Sequence, residues 1–307
     1  MKFGVAVPNY GENLSVDGML TVAKTAEEFG FDSVWTTDHI LMPKASGTPY
    51  ERIFESISSL AFLAASTNRV QLGVSALIVA LRNPVIAAKQ LATIDALSGG
   101  RLLFAVGVGW NPKEFSNLGS DFGDRGARVD ESIRLMRELF EGITTFNGQR
   151  TGIEFKDAVF DPRPSHRVPI WIGGTSPAAM KRAATIGDAW HPNISPLEDF
   201  RRQVASFRGV TGGSEKPIHV RIGLNPTSTT TEYVGAQGDR RLQFCGDREA
   251  NRIILNTLEE LRVEGIVVAT NPTGKASIED QVEGLKLVRN QLMLSRSTSD
   301  SSPRPVK

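Results

Sequence analysis

Strand-like and helix-like stretches alternate along nearly the whole chain, and no other feature of the sequence narrows its fold so far. Period-two or continuous apolar patterning occupies residues 2–8, 33–39, 70–77, 101–106, 169–172, 188–191, 217–224 and 266–269. Helical periodicity fills the gaps: Met19, Val22, Ala23, Ala26 and Phe29 share one face while Lys24, Glu27 and Glu28 share the other. Asn83-Pro84 supplies a cap and a first-turn proline, and Ser98-Gly99-Gly100 a stop, to the helix between strands three and four. Eight such units predict an α/β fold, a single TIM-like (β/α)8 barrel, where a doubly wound open sheet would usually need fewer. The rhythm breaks over residues 142–168, where Phe146-Asn147-Gly148 predicts a small hairpin excursion between strands four and five. The barrel domain is expected to span residues 1–294, followed by a disordered polar tail, 295–307. Residues 225–241, polar and rich in threonine, read as a mobile loop or lid after strand seven.

Charge points to a small partner. Thirty-five Lys and Arg against 34 Asp and Glu leave a formal charge of +1, which predicts no nucleic acid and no membrane surface. The single cysteine, Cys245, excludes an internal disulfide, and the four separated histidines have no zinc-ligand spacing. With no basic-then-apolar leader and no run of about 18 apolar residues, the chain is expected to be soluble and cytoplasmic.

In an α/β barrel the carboxyl ends of the strands carry the chemistry. Four pieces fall there: Asp38-His39, Gly73-Val74-Ser75-Ala76, Gly107-Val108-Gly109-Trp110, and Gly173-Gly174-Thr175-Ser176. The glycine at 73 and serine at 75 interrupt strand three and suggest a bulge or a close backbone approach. Gly173 to Ser176, before Pro177, opens a helix whose free amides and dipole suit a phosphate. Gly107 and Gly109 lack the third glycine and downstream acid of a dinucleotide fingerprint, and no Walker lysine follows. Trp110 suits either a substrate wall or the core. Glu114 reads as a first-turn helix residue, while His191, His219, His166 and Cys245 read as structural or exposed groups. Arg240-Arg241 and Lys181-Arg182 are solvated charge that could also meet an anionic tail.

These pieces, in this order, resemble the luciferase-like monooxygenase superfamily, in its coenzyme F420-dependent oxidoreductase branch. The stretches that carry the likeness are residues 26–35, Thr37-Asp38-His39, Leu72-Gly73-Val74-Ser75, Asn83-Pro84, residues 95–101, residues 107–110 with Glu114-Phe115, and residues 169–174. The resemblance implies a deazaflavin in the carboxyl-end mouth and a non-proline cis peptide between Ser75 and Ala76 behind its ring. It implies that His39 acts as acid, base or orienting group in hydride transfer, and that Asp38 contacts the ring or holds the local turn. Phosphate is expected at Gly173, Gly174, Thr175 and Ser176 and near Gly107 and Gly109, with Trp110 beside ring or substrate. In the branch's sugar-phosphate dehydrogenases a Glu follows Gly-x-Gly and an aromatic follows shortly after Asp-His; Trp110 and Pro43 stand there in this chain, so that activity is rejected. The function implied is F420-dependent oxidoreduction of a small-molecule substrate. The alternatives are an FMN-dependent monooxygenase fed by a separate flavin reductase, and a cofactor-binding protein without turnover. A homodimer is compatible with either enzyme.

Overall fold

The computed structural model describes residues 1–212 and 215–294; the tail expected to be disordered lies outside the described residues. In chain order the elements are β1 (Lys2–Ala6), α1 (Val16–Glu28), β2 (Ser33–Thr36), α2 (Ser56–Ser66), β3 (Gln71–Val74), α3 (Pro84–Ser98), β4 (Phe104–Val106), α4 (Pro112–Asn117) and α5 (Arg125–Glu141). Then follow β5 (Phe146–Asn147), β6 (Glu154–Phe155), β7 (Ile170–Gly173), α6 (Pro177–Thr185), β8 (Ala189–His191), α7 (Leu197–Val210) and β9 (His219–Leu224). The last are β10 (Glu232–Val234), β11 (Arg240–Phe244), α8 (Arg248–Glu260), β12 (Gly265–Ala269) and α9 (Ile278–Val288).

Local chemistry sets the helix ends. Ser15 accepts from the Gly18 amide at 3.1 Å to start α1, and Asn83 accepts from Val85 and Ile86 ahead of Pro84 to start α3. Gly99, at φ +70°, closes α3 in the left-handed conformation that glycine tolerates best.

Pairing gives an α/β fold of the TIM-barrel type, though not the uninterrupted ring that eight alternating units predict. One sheet runs β10-β11-β9-β12-β1-β2-β3 and another β4-β7-β8; within them β9, β12, β1, β2 and β3, and likewise β4, β7 and β8, are parallel neighbours. At two seams the sheets meet only through isolated parallel bridges, Leu72 with Leu102 and Leu77 with Val106, and Trp190 with Ile218 and Asn193 with Arg221. Each interruption has a backbone cause. Past Val74 the chain leaves β3 and turns to β4, the Leu77 amide donating to Ala105; past His191, Pro192 has no amide to donate to a ladder. Between β4 and β7 lies a two-stranded antiparallel pair, β5 with β6. The stretch expected as a loop or lid is structured instead: β10 pairs antiparallel with β11, which joins the edge of β9.

Most of the core lies between strands and helices, and a second, smaller cluster of Ala6, Trp35, Leu103, Ala105, Val267 and Ala269 fills the interior of the strands. Trp35 explains why the inward positions are so small: a Cβ at Gly4 or Gly73 would collide with its indole. The break in strand three is therefore a close side-chain approach. Trp171 stacks on His219 at 3.9 Å and Trp35 on His191 at 5.6 Å, so a layer of aromatic rings supports the mouth from below.

Candidate active site

The four pieces at the strand ends line a single cavity of about 490 Å³: Asp38 and His39 after β2, Ser75 and Ala76 after β3, Gly107, Gly109 and Trp110 after β4, and Gly173, Gly174, Thr175 and Ser176 at the end of β7. Such a volume falls within the range of about 300–1,000 Å³ common for small-molecule sites.

His39 is fixed by an unexpected partner. Its Nδ1 lies 2.7 Å from Oε2 of Glu114, while Oε1 accepts from the Ile40 amide at 2.7 Å. Glu114 is fully buried, in the first turn of α4, where Asn111 caps the helix and Pro112 starts it. Burial alone would push this carboxyl up, yet the bond and charge of His39 and the amides of Ile40 and Leu41 outweigh it and hold the group below its ordinary value. Glu114 is thus an anion that keeps a proton on Nδ1. That leaves Nε2 as the ring nitrogen facing the cavity, able to accept or donate a proton there. Tyr50 stacks on the imidazole at 4.6 Å and Trp110 meets it edge-on at 5.6 Å. The loop from Ile40 to Tyr50 therefore delivers an aromatic beside His39 from its far end, where Pro43 does not.

The Asp38 carboxylate is spent elsewhere. Oδ1 accepts from Ser56 at 2.7 Å and from Arg82 at 2.6 Å, and Oδ2 from the Ile78 amide at 2.8 Å and from Arg82 at 2.7 Å. With its side chain fully buried, the carboxylate offers no ligand contact; of the two roles expected for Asp38, the structure supports holding the turn.

Ser75 is held from two sides. His191 lies on one: its Nδ1 donates to the His219 carbonyl at 2.7 Å, so its Nε2 accepts from Ser75 Oγ at 2.8 Å. Burial pushes the His191 pKa down to about 3, and the imidazole is neutral. On the other, Arg221 on β9 donates from Nη1 to the Ser75 carbonyl and from Nη2 to Thr37 Oγ1 at 2.9 Å. The peptide bond from Ser75 to Ala76 is cis.

Glycines shape the cavity floor. Cβ atoms built at Gly107 and Gly173 would come within 3.3 and 3.4 Å of the Ala76 methyl, so two bare backbones and one methyl form a flat surface. Ser176 caps α6 through the Ala179 amide, and Trp190 Nε1 donates to the Gly174 carbonyl at 2.8 Å, which pins the loop above the helix start. Arg125, at the start of α5, also lines the cavity, bonding the Gly109 carbonyl at 3.3 Å. A flat floor beside a helix start and an arginine suits a planar ring carrying a phosphate.

Three functional candidates escape a reading of the sequence. Glu114 meets His39 across 75 positions; the sequence marks it as a first-turn residue behind an Asn-Pro cap and as part of the family likeness, and neither sign points to His39. Arg221 sits mid-strand, where alternation alone reads a polar residue as outward. Arg125 looks like one more helix-start arginine. Arg241, half of a pair read as solvated charge or a contact for an anion, is buried, lines the cavity and bonds Asp239 at 2.7 Å; Arg182 bonds Asp130 instead. Among the described residues no cluster could hold a metal ion, and no helix is long and apolar enough to cross a membrane.

Known proteins place the chain. The profile of the luciferase-like monooxygenases matches residues 1–232. A protein named F420-dependent glucose-6-phosphate dehydrogenase from Amycolatopsis mediterranei is 35% identical over 178 residues, 56% of this chain and 52% of that protein, so the chain spans about half the length of this relative. One of the same name from Nakamurella multipartita is 34% identical over 300 residues, covering 94% of this chain and 79% of its own. The FMNH(2)-dependent dimethylsulfone monooxygenase of Pseudomonas fluorescens is 29% identical over 240 residues, 73% of this chain and 64% of its own. A solved structure of an F420-dependent secondary alcohol dehydrogenase in complex with an F420-acetone adduct shares the fold at a TM-score of 0.77 and 17% identity, covering 95% of this chain and 98% of that one. The chain belongs to the luciferase-like monooxygenase family.

Proposed function

We propose that the protein is an F420-dependent oxidoreductase that moves a hydride between the deazaflavin and a small organic substrate, in a barrel that closes across the two seams. The observation that carries this reading is His39, whose Nδ1 is taken by buried Glu114 and whose Nε2 is left to the cavity beside the flat floor of Ala76, Gly107 and Gly173. When bound, F420 supplies a ring carbon that takes or gives the hydride. The chain does the rest. His39 Nε2 takes the proton of a substrate hydroxyl as its carbon is oxidised, or returns one in the reverse direction. Tyr50 and Trp110 wall the space beside it and exclude water. Gly173 to Ser176, the start of α6 and Arg125 seat the phosphate.

Relatives named F420-dependent at 34 and 35% identity support this cofactor over FMN, whose named relative is 29% identical. The FMN reading, a monooxygenase supplied by a separate flavin reductase, is the alternative. Trp110 beside His39 argues for a substrate other than a sugar phosphate. Equilibrium titration with both cofactors separates the readings: micromolar FMN binding without F420 binding would sink the proposal. Substrate follows from reduced F420 tested against enones, quinones and nitroaromatics, and oxidised F420 against alcohols.

A further inference from the structure

β11 sets Arg241 in the wall of the cavity that Arg221, on β9, also lines. Tyr233 joins the two. It stands opposite Arg241 in the β10–β11 register, and its ring packs so closely on β9 that a Cβ at Gly223 would come within 2.6 Å of it. Gly223 and Arg221 share one face of that strand, and the Tyr233 phenol lies within electrostatic reach of both guanidiniums. From Arg221 a hydrogen bond of 2.9 Å leads on to Thr37, two positions before His39. Tyr50, which stacks on His39, is a further neighbour of Tyr233 and Arg241. Both arginines therefore belong to the His39 side of the cavity, whereas Arg125, bonded to Gly109 and Phe122, belongs to the side after β4.

Charge does not balance along this row. The neighbouring ionisable groups are already paired, Asp38 with Arg82 and His39 with Glu114. Two guanidiniums are left facing one carboxylate, that of exposed Asp239, which takes only Nε of Arg241, at 2.7 Å. The two amino groups of buried Arg241 donate to no carboxylate or carbonyl among the described residues. Arg221 bonds the carbonyl and hydroxyl of Ser75 and the hydroxyl of Thr37, all uncharged. Tyr10 and Tyr233 beside it stay protonated, because burial raises both phenols. One positive charge is left over, and a poorly solvated cation without counter-charge is costly.

We infer that Arg241 and Arg221 form a subsite for a carboxylate of the substrate, which is a short hydroxy acid whose hydroxyl meets His39. For the fate of that hydroxyl the inference rests on the oxidoreductase reading. A monoanion matches an excess of one charge, and its two oxygens match the paired N–H groups of a guanidinium. The step balances with the deazaflavin as oxidant: the carbinol C–H bond breaks and its hydride goes to the ring, while the hydroxyl proton goes to His39 Nε2. A C=O bond forms, so the acid is oxidised by two electrons to its oxo acid, and the carboxylate keeps its charge throughout.

The test is calorimetric titration of the whole protein with lactate and with mandelate, each against its uncharged amide, with and without F420. At least one acid should bind about tenfold or more tightly than its amide, the scale of a charge-assisted hydrogen bond. Arg241→Gln should abolish that difference, Arg241→Lys should keep most of it, and Arg125→Gln should leave it intact while weakening F420. Asp239→Asn, which removes a competing carboxylate from an exposed position, should tighten the acid and not the amide. The preferred acid should also consume oxidised F420, and its amide should not. Equal wild-type binding of acid and amide overturns the inference, as does a preference that survives Arg241→Gln or, should that variant not fold, one that Asp239→Asn leaves unchanged. Loss of F420 affinity in Arg241→Gln with the acid preference kept would assign the arginines to the cofactor instead. Absence of F420 binding sinks the cofactor reading and leaves the acid and amide titrations to judge the subsite; F420 binding without an acid preference sinks this inference alone.

Discussion

At the scale of single residues the site turns on how one imidazole is held. His39 is only 4% exposed, stacks on Tyr50 and bonds a buried carboxylate, so it is not the loosely packed mouth residue that its strand-end position suggests. His39→Ala should therefore do two things at once. Loss of the acid or base lowers turnover roughly 10²- to 10⁴-fold, and stranding Glu114 lowers stability by about 1–3 kcal/mol, while cofactor affinity stays nearly unchanged. A melting shift with parental turnover would show that the chemistry lies elsewhere. Glu114→Gln keeps the shape but removes the charge that holds the Nδ1 proton; the pH profile of turnover should move to lower pH, which a purely structural glutamate would not cause. His39 could be singled out in the sequence because it ends a strand, and the structure places it in the cavity. Its partner could not be, because a contact across 75 positions leaves no local pattern. Asp38 was half legible: its position was right, but only the fold reveals that Arg82, Ser56 and Ile78 consume its carboxylate.

Among the elements, the strand ends divide the cavity lining: Asp38 and His39 follow β2, Ala76 and Gly107 follow β3 and β4, and Gly173 to Ser176 lie at the end of β7 before α6; in the proposed reading these would supply the acid–base group, the floor and the anion seat. This division was visible in the alternation of apolar periods. The seams and the β10–β11 pair were not, since a ladder interrupted by Pro192, or a three-residue strand in a threonine-rich stretch, depends on which backbone lies alongside. The floor offers a clean test of element-level design. Gly173 has no left-handed torsion to lose, and a methyl there would sit 3.4 Å from Ala76, in ordinary contact. Gly173→Ala should leave the melting temperature nearly unchanged yet weaken F420 binding by on the order of tenfold, or about 1.4 kcal/mol. Gly109→Ala is different: at φ +77°, with a Cβ 2.6 Å from the Phe115 ring, it should destabilise the fold itself. If both variants lost stability equally, the flat floor would be a packing requirement and not a ligand surface.

In the whole molecule the price of the aromatic layer under the cavity is pH sensitivity. Burial pushes His191 down to about 3 and His219 down to about 4, the latter helped by Lys2. In the unfolded chain both titrate near about 6.5. Between those values the unfolded state binds more protons, so stability is full above about 6.5 and falls as pH falls, until each folded-state value is passed. The depressed carboxyls of Glu114, Glu55 and Glu131 act in another window, because each is ionised in both states above its ordinary value of 4.5. Asp95, pushed up by burial, runs the opposite way. From pH 6.5 to about 5 the slope should therefore come mainly from the two histidines, on the order of 2 kcal/mol each by pH 5. Urea unfolding at pH 7.5, 6.0 and 5.0 should give falling midpoints. His191→Gln, which keeps a polar group near Ser75 but takes up no proton, should flatten the dependence by about half. A parent protein with the same midpoint at all three pH values would mean that water or a shifted ring lets the imidazoles titrate freely, and that the layer of Trp35, Trp171, His191 and His219 does not seal the interior beneath the cavity.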